Sequence, residues 1–189
     1  MKICQAAYFE LKRISSIRRI FTEDATKTFV TSYILSRFDY CNCLLMGAPN
    51  SIIQPIEKIQ NLSAILVPLA PRHHHSTPIL EKLQWLPISE RIKYKVACMC
   101  FNAINGSGPA YLSELLHVYT PSRTLRSSSN TRTLKIRQYK RKTHGFRSFS
   151  CFGPHIWNSL PKDLIHCSTL PCFKAELKTF LFSQYFRPN

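Results

Sequence analysis

Apolar residues return at steps of three and four along most of this chain, and that period, more than any motif, restricts it to a helical fold. Ile3, Ala7, Leu11, Ile14, Ile17 and Phe21 form one such series, with Lys12, Arg13, Arg18 and Arg19 mostly off the stripe. Thr22 then reads as an N-cap, followed by Glu23 and Asp24 in the turn where the helix dipole favours acids. A second helix is predicted from about Glu23 to Phe38, burying Phe29, Val30, Tyr33 and Ile34.

Gly47, Pro49, Asn50 and Ser51 punctuate a turn, and Ile52, Ile56, Ile59, Ser63 and Leu66 resume the helical step until Pro68 and Pro71 stop it. Thr77-Pro78 reads as a cap with proline at the first helical position, opening a short helix that ends near Trp85. Ser89 precedes Ile92, Val96, Met99 and Ala103, and this helix closes before Gly106 and Gly108. Pro109 to Leu116 adds one or two turns. Phe146, Phe149, Phe152, Ile156, Trp157 and Leu160 restore apolar density, and Ser168 to Pro171 opens a last helix with Phe173, Leu177, Phe180 and Leu181 facing inward.

Between Thr120 and Ser150 the period disappears, and charge changes in the same interval. No acid stands between Glu114 and Asp163. Residues 1–120 carry 13 basic and 8 acidic side chains, 121–150 carry 9 and none, and 151–189 carry 4 and 2, so over half of the +16 net charge sits in thirty residues. An unmixed basic tract repels itself unless a polyanion is expected nearby, which makes RNA or DNA the first candidate partner. Leu134, Ile136 and Tyr139 alternate with basic residues, the pattern of a short half-exposed strand. The predicted fold is therefore mainly α: a helical bundle-like body with a short β-hairpin or extended excursion in the basic segment. By composition it divides into a helical body at 1–118, a basic segment at 119–150 and a helical segment at 151–189 that packs as one structural unit with the body.

Within the tract, Arg132, Lys135, Arg137, Lys140, Arg141, Lys142 and Arg147 are the candidate phosphate contacts, and Tyr139 is the candidate for stacking on an unpaired base. Aromatics nearer Phe149 read as core residues. Asn130 to Arg147 is the expected contact strip, because its flanks dock onto the helical body.

Other function classes find little material. No run reaches the roughly 18 apolar residues of a membrane helix, and Glu10, Lys12 and Arg13 interrupt the N-terminal stretch where a signal peptide would be apolar. An intracellular place, nuclear or cytoplasmic, is expected, with the eight cysteines reduced. Cys98 and Cys100 point about 200° apart on one helix, and neither they nor Cys41 and Cys43 have the spacing of a zinc knuckle. Three consecutive residues, His73 to His75, diverge in a proline-flanked loop. Asp39 reads as structural, capping a helix or pairing with Arg37 or another base. There is no GxSxG elbow, phosphate-binding glycine loop or HExxH. Neither a metal, a cofactor nor a catalytic residue is expected.

The order of short motifs adds a family. Ser36-Arg37-Phe38-Asp39-Tyr40-Cys41-Asn42, Ile59-Gln60-Asn61, Thr77-Pro78-Ile79-Leu80, Leu83-Gln84-Trp85-Leu86-Pro87-Ile88, Arg91-Ile92 and Tyr94-Lys95 come first. Ala103-Ile104-Asn105-Gly106, Pro109-Ala110-Tyr111-Leu112, Pro121-Ser122-Arg123, Leu125-Arg126-Ser127, Phe152-Gly153-Pro154, Trp157-Asn158-Ser159-Leu160-Pro161, Phe173-Lys174 and Leu177-Lys178 follow. From about Tyr8 to Phe182 this series resembles the C-terminal region of the polyprotein of jockey-like non-LTR (LINE) retrotransposons. The resemblance implies the helical thumb of a reverse transcriptase and the segment after it, which grip template and nascent duplex. The family's polymerase palm carries an Asp-Asp motif, and no such pair occurs in these 189 residues. The expectation is thus a fragment of an RNA-directed DNA polymerase, surviving from a truncated or decayed element and not an enzyme on its own, with RNA, DNA and the palm as its partners. A non-functional remnant with no independent activity is the alternative.

Overall fold

Thr22 begins its helix as the sequence predicts: its Oγ1 accepts the Ala25 amide at 3.3 Å, and its carbonyl accepts the amide of Thr26 at 3.0 Å. The computed structural model describes residues 2–71, 73–120, 132–139 and 145–187. In chain order the helices are α1 (Lys2–Ile17), α2 (Glu23–Val30), α3 (Ser36–Asp39), α4 (Asn50–Leu66), α5 (Ser76–Leu83), α6 (Ile88–Ile104), α7 (Ala110–Ser113), α8 (Phe149–Asn158), α9 (Lys162–Ile165) and α10 (Leu170–Phe186). A wide turn at Thr31–Leu35 carries α2 into α3 without a break. The fold is mainly helical, as expected. Among the described residues β structure amounts to one antiparallel bridge, Val118 with Leu134, so the basic segment is extended there without a hairpin ladder.

Contacts divide the chain inside α6. Residues up to Arg91, with Phe186 and Arg187, form one unit, and Ile92 to Tyr185 form the other. The composition-based division at 118 and 150 follows charge, a different property.

In the first unit α1 packs on α2 and α4, and α4 packs on α5. The buried series in α1 is Ala7, Leu11 and Ile14, and it continues at a step of four into Arg18. The predicted series is corrected at its ends: Ile3, in the first turn, is 39% exposed, and Ile17 is 43% exposed because Arg18 takes the inward position one residue on. Likewise Thr26, Val30, Ile34 and Phe38 form the buried row of the second helix. Phe29 and Tyr33 lie about 100° round from it and were expected inside; they stand 36% and 50% exposed in an outer ladder, Phe21 to Phe29 at 4.9 Å and Phe29 to Tyr33 at 6.0 Å between ring centres.

α4 buries Ile53, Ile56, Ile59, Gln60, Ser63 and Ala64. Its two buried polar groups are satisfied locally: Gln60 Nε2 donates to the Leu86 carbonyl and the Ser63 hydroxyl to the Ile59 carbonyl, both at 2.8 Å. α5 starts earlier than predicted, with His75 rather than Thr77 as its N-cap. Pro78 still fits, since first-turn amides have no partner within the helix and its missing N–H costs nothing there. The helix ends with Gln84 left-handed at φ 57°, and the Trp85 amide reaches back to the Leu80 carbonyl at 2.9 Å, closing a Schellman turn.

The second unit is built around aromatic rings. Phe101 of α6 stacks on Phe173 of α10 at 4.5 Å, and Trp157 of α8 lies 5.9 Å from Phe173 and 6.5 Å from Phe101. Trp157 and Phe173 are fully buried, and burying each such side chain contributes about 1.5–3 kcal/mol. Gly153 permits this approach: a Cβ there would sit 3.1 Å from Cys100 Sγ. Gly106, at φ 68°, closes α6 with the Ser107 amide on the Asn102 carbonyl at 3.0 Å. No helix among the described residues is long and apolar enough to cross a membrane.

Candidate nucleic-acid interface

Residues 132–139 of the basic tract are held by α8 in the second unit. Leu134 is its anchor, 2% exposed, and Asn158 clamps the backbone on both sides of it. Asn158 Oδ1 accepts the Leu134 amide and Asn158 Nδ2 donates to the Leu134 carbonyl, each at 2.9 Å. Trp157 Nε1 donates to the Arg132 carbonyl at 2.8 Å. From the other side the Lys135 amide donates to the His117 carbonyl and the Tyr119 amide to the Thr133 carbonyl, both at 2.8 Å. The Trp157-Asn158 doublet thus gives the segment a fixed backbone, and the cations leave from it.

Arg132, Lys135, Arg137 and Tyr139 are all exposed. Arg132 Nη1 donates to Asn105 Oδ1 at 3.3 Å, and Arg137 Nη2 lies 3.0 Å from His117 Nε2, which accepts when that nitrogen bears no proton. Neither contact neutralises charge, and among the described residues no carboxylate pairs with Arg132, Lys135 or Arg137. Such cations are free to exchange counterions for phosphates.

Tyr139 is in part committed elsewhere. Its ring packs 5.4 Å from Phe146, which packs 5.4 Å from Phe152 and 5.5 Å from His155. Tyr139 is 37% exposed, so the cluster covers it only in part. Arg147 is half-buried just before α8, beside Phe146 in sequence. Lys140, Arg141 and Lys142 lie outside the described residues. The structure therefore brings Arg132, Lys135, Arg137 and Tyr139 onto one pinned segment.

Cations of the first unit are held differently. Arg91 forms a two-point pair with Asp39, with Nε donating to Oδ1 at 2.8 Å and Nη2 bonded to Oδ2. Asp39 pairs with a base, as expected, and that base is Arg91, while Arg37 lies 3.9 Å from Glu10. Glu10 also meets Arg13 at 3.4 Å, Lys82 meets Glu23 at 3.9 Å, and Arg187 meets Glu81 at 3.5 Å. A cleft of about 510 Å³ in this unit is lined by Tyr8, Lys12, Arg18 and Arg19. The sequence reading did not single it out, because these cations are spread over two helical turns among apolar residues.

The buried thiols are poor nucleophile candidates. Burial pushes Cys100 up to about 12 and raises Cys98, against which Lys174 acts weakly in the other direction. His73, His74 and His75 are exposed. One group missed by the sequence reading does converge: Cys167, Cys172 and Glu176. Its gaps of four and three residues match no zinc knuckle, though Cys172 and Glu176 are four apart on one helix and share a face. Comparison with protein-family models, with curated proteins and with solved structures gives no match to this chain.

Proposed function

We propose that the chain is part of the RNA-directed DNA polymerase of a jockey-like non-LTR retrotransposon, from the thumb and the segment that follows it, and that it grips RNA or DNA by the backbone through its basic tract. The observation that carries the nucleic-acid half of this reading is the pinned segment 132–139. Its cations project from a backbone fixed by Asn158 and Trp157 and meet no carboxylate among the described residues. Support for the family half is the order of motifs along the sequence. Without the Asp-Asp pair, these residues do not polymerise alone.

A second reading is a non-functional remnant with no independent activity. In its favour stand large apolar side chains left in solvent in the first unit, among them Phe9 at 61%, Leu44 at 71%, and Ile20 and Tyr40 at 81% exposed. The same surface suits a body that packs against an absent palm.

Titrating the chain into labelled RNA and DNA oligonucleotides at increasing salt separates the readings. With about six phosphates neutralised, log affinity falls against log salt with a slope near −5 for duplex DNA and about −4 for a single strand. Absence of binding at low salt, or binding indifferent to salt, removes the proposal and leaves the remnant.

A further inference from the structure

In the second unit, Cys167 follows α9, and Cys172 and Glu176 occupy the first two turns of α10. The Cys167 thiol lies 3.2 Å from Glu176 Oε2 and the Cys172 thiol 3.4 Å from Glu176 Oε1. All three ligand atoms fall within 4.8 Å of one another. A tetrahedral zinc ion, with Zn–S about 2.3 Å and Zn–O about 2.0–2.2 Å, holds its ligand atoms roughly 3.5–3.8 Å apart. The group therefore needs only small side-chain rotations to close on an ion. Cys172 and Glu176 are set by the helical step of four, and Cys167 is brought in by the turn before α10, so the backbone already supplies the convergence.

We propose that Cys167, Cys172 and Glu176 form a binding site for one thiophilic divalent cation, Zn²⁺ by preference. Two thiolates exclude the hard cations Mg²⁺ and Ca²⁺, which take oxygen ligands, and a mixed sulfur and carboxylate set suits zinc. Both thiols give up their protons to solvent on binding. Three protein ligands leave the fourth position to water, and Cys172 and Glu176 are exposed enough for the ion to enter. The ion would staple the α9–α10 turn to the first two turns of α10. This site is independent of the nucleic-acid reading.

The test is a Co²⁺ titration of the reduced full chain followed by absorption, with Zn²⁺ as competitor. The expected result is one Co²⁺ per chain, showing thiolate-to-cobalt charge transfer and strong tetrahedral visible bands, displaced by one equivalent of Zn²⁺. Cys172→Ser abolishes these bands, and Glu176→Gln weakens affinity by more than the roughly 10–100-fold that a supporting second-shell partner is worth. Both residues are exposed, so circular dichroism of these variants stays as in the parent and folding does not confound the reading. The Cys41→Ser/Cys43→Ser variant binds like the parent. Cobalt bands that survive Cys172→Ser, bands lost in Cys41→Ser/Cys43→Ser instead, or no uptake by the parent chain each overturn the proposal.

Discussion

Arg18 in the first unit and Arg137 in the second carry the same guanidinium and are held in opposite ways. Arg18 is 6% exposed and works as a cap. Its Nε lies 3.1 Å from the carbonyls of both Leu66 and Val67, Nη2 also bonds the Val67 carbonyl, and Nη1 donates to the Phe21 carbonyl at 2.7 Å. The Leu66 and Val67 carbonyls close α4, where the helix dipole is negative and the last carbonyls have no i+4 partner within the helix. Arg137 is exposed, and its guanidinium meets the His117 ring. Buried Arg18 thus answers backbone carbonyls, several surface cations of the first unit answer carboxylates, and among the described residues those of segment 132–139 answer neither. The net charge of +16 is therefore held in more than one way, and it is the cations of segment 132–139 that the proposed function assigns to a polyanion.

The largest expected effect comes from removing the structural guanidinium. Arg18→Met keeps the bulk but takes the guanidinium from three buried or half-buried carbonyls, of which Leu66 keeps the Leu69 amide at 3.2 Å while Val67 and Phe21 lose their side-chain donor, and urea unfolding should show a loss of about 2–5 kcal/mol. A variant as stable as the parent would erase the distinction between structural and available charge.

Asn158→Ala comes next. It deletes both hydrogen bonds to Leu134 and should cost about 1–3 kcal/mol while releasing the segment. Limited trypsin digestion reads that release directly: cleavage after Lys135 and Arg137 should become faster than in the parent. Unchanged cleavage would show that Trp157 and the His117 carbonyl suffice to hold the strand.

Smallest in stability is the Lys135→Ala/Arg137→Ala pair, expected within about 0.5 kcal/mol of the parent because neither side chain is packed or ion-paired. A marked loss of stability would reassign these cations to the structural class.

How legible this division is in the sequence depends on the physics behind each part. Helical stripes were readable because core packing repeats every 3.6 residues, and Val30, Ile34, Ile56, Val96 and Leu177 are buried where the period puts them. Arg18 was not, since a charge at an inward position becomes favourable only once distant carbonyls, 48 and 49 residues along the chain, are brought to it. Phe29 and Tyr33 misled for the converse reason: aromatic residues suggest a core, yet a neighbouring stripe of smaller residues faced inward. Alternation at Leu134 and Ile136 foretold an extended segment, but Leu134 forms a single bridge with Val118, and Ile136 stays 42% exposed. The candidate contact residues were visible as charge, whereas their platform, Asn158 and Trp157, was visible only as a motif without a role. Cys167, Cys172 and Glu176 were hidden because their convergence is made by a turn, which spacing rules for linear zinc motifs do not cover.

The central claim is that charge in the pinned segment, not net charge, meets nucleic acid, and two matched double variants test it. Lys135→Ala/Arg137→Ala and Arg13→Ala/Arg37→Ala each remove two positive charges, the first pair without an acid partner among the described residues and the second paired with Glu10. The salt dependence of single-strand binding is then measured for both and for the parent. The account predicts that the first variant loses about 1.4 from the slope of log affinity against log salt and the second loses none. Equal losses from the two variants would contradict it.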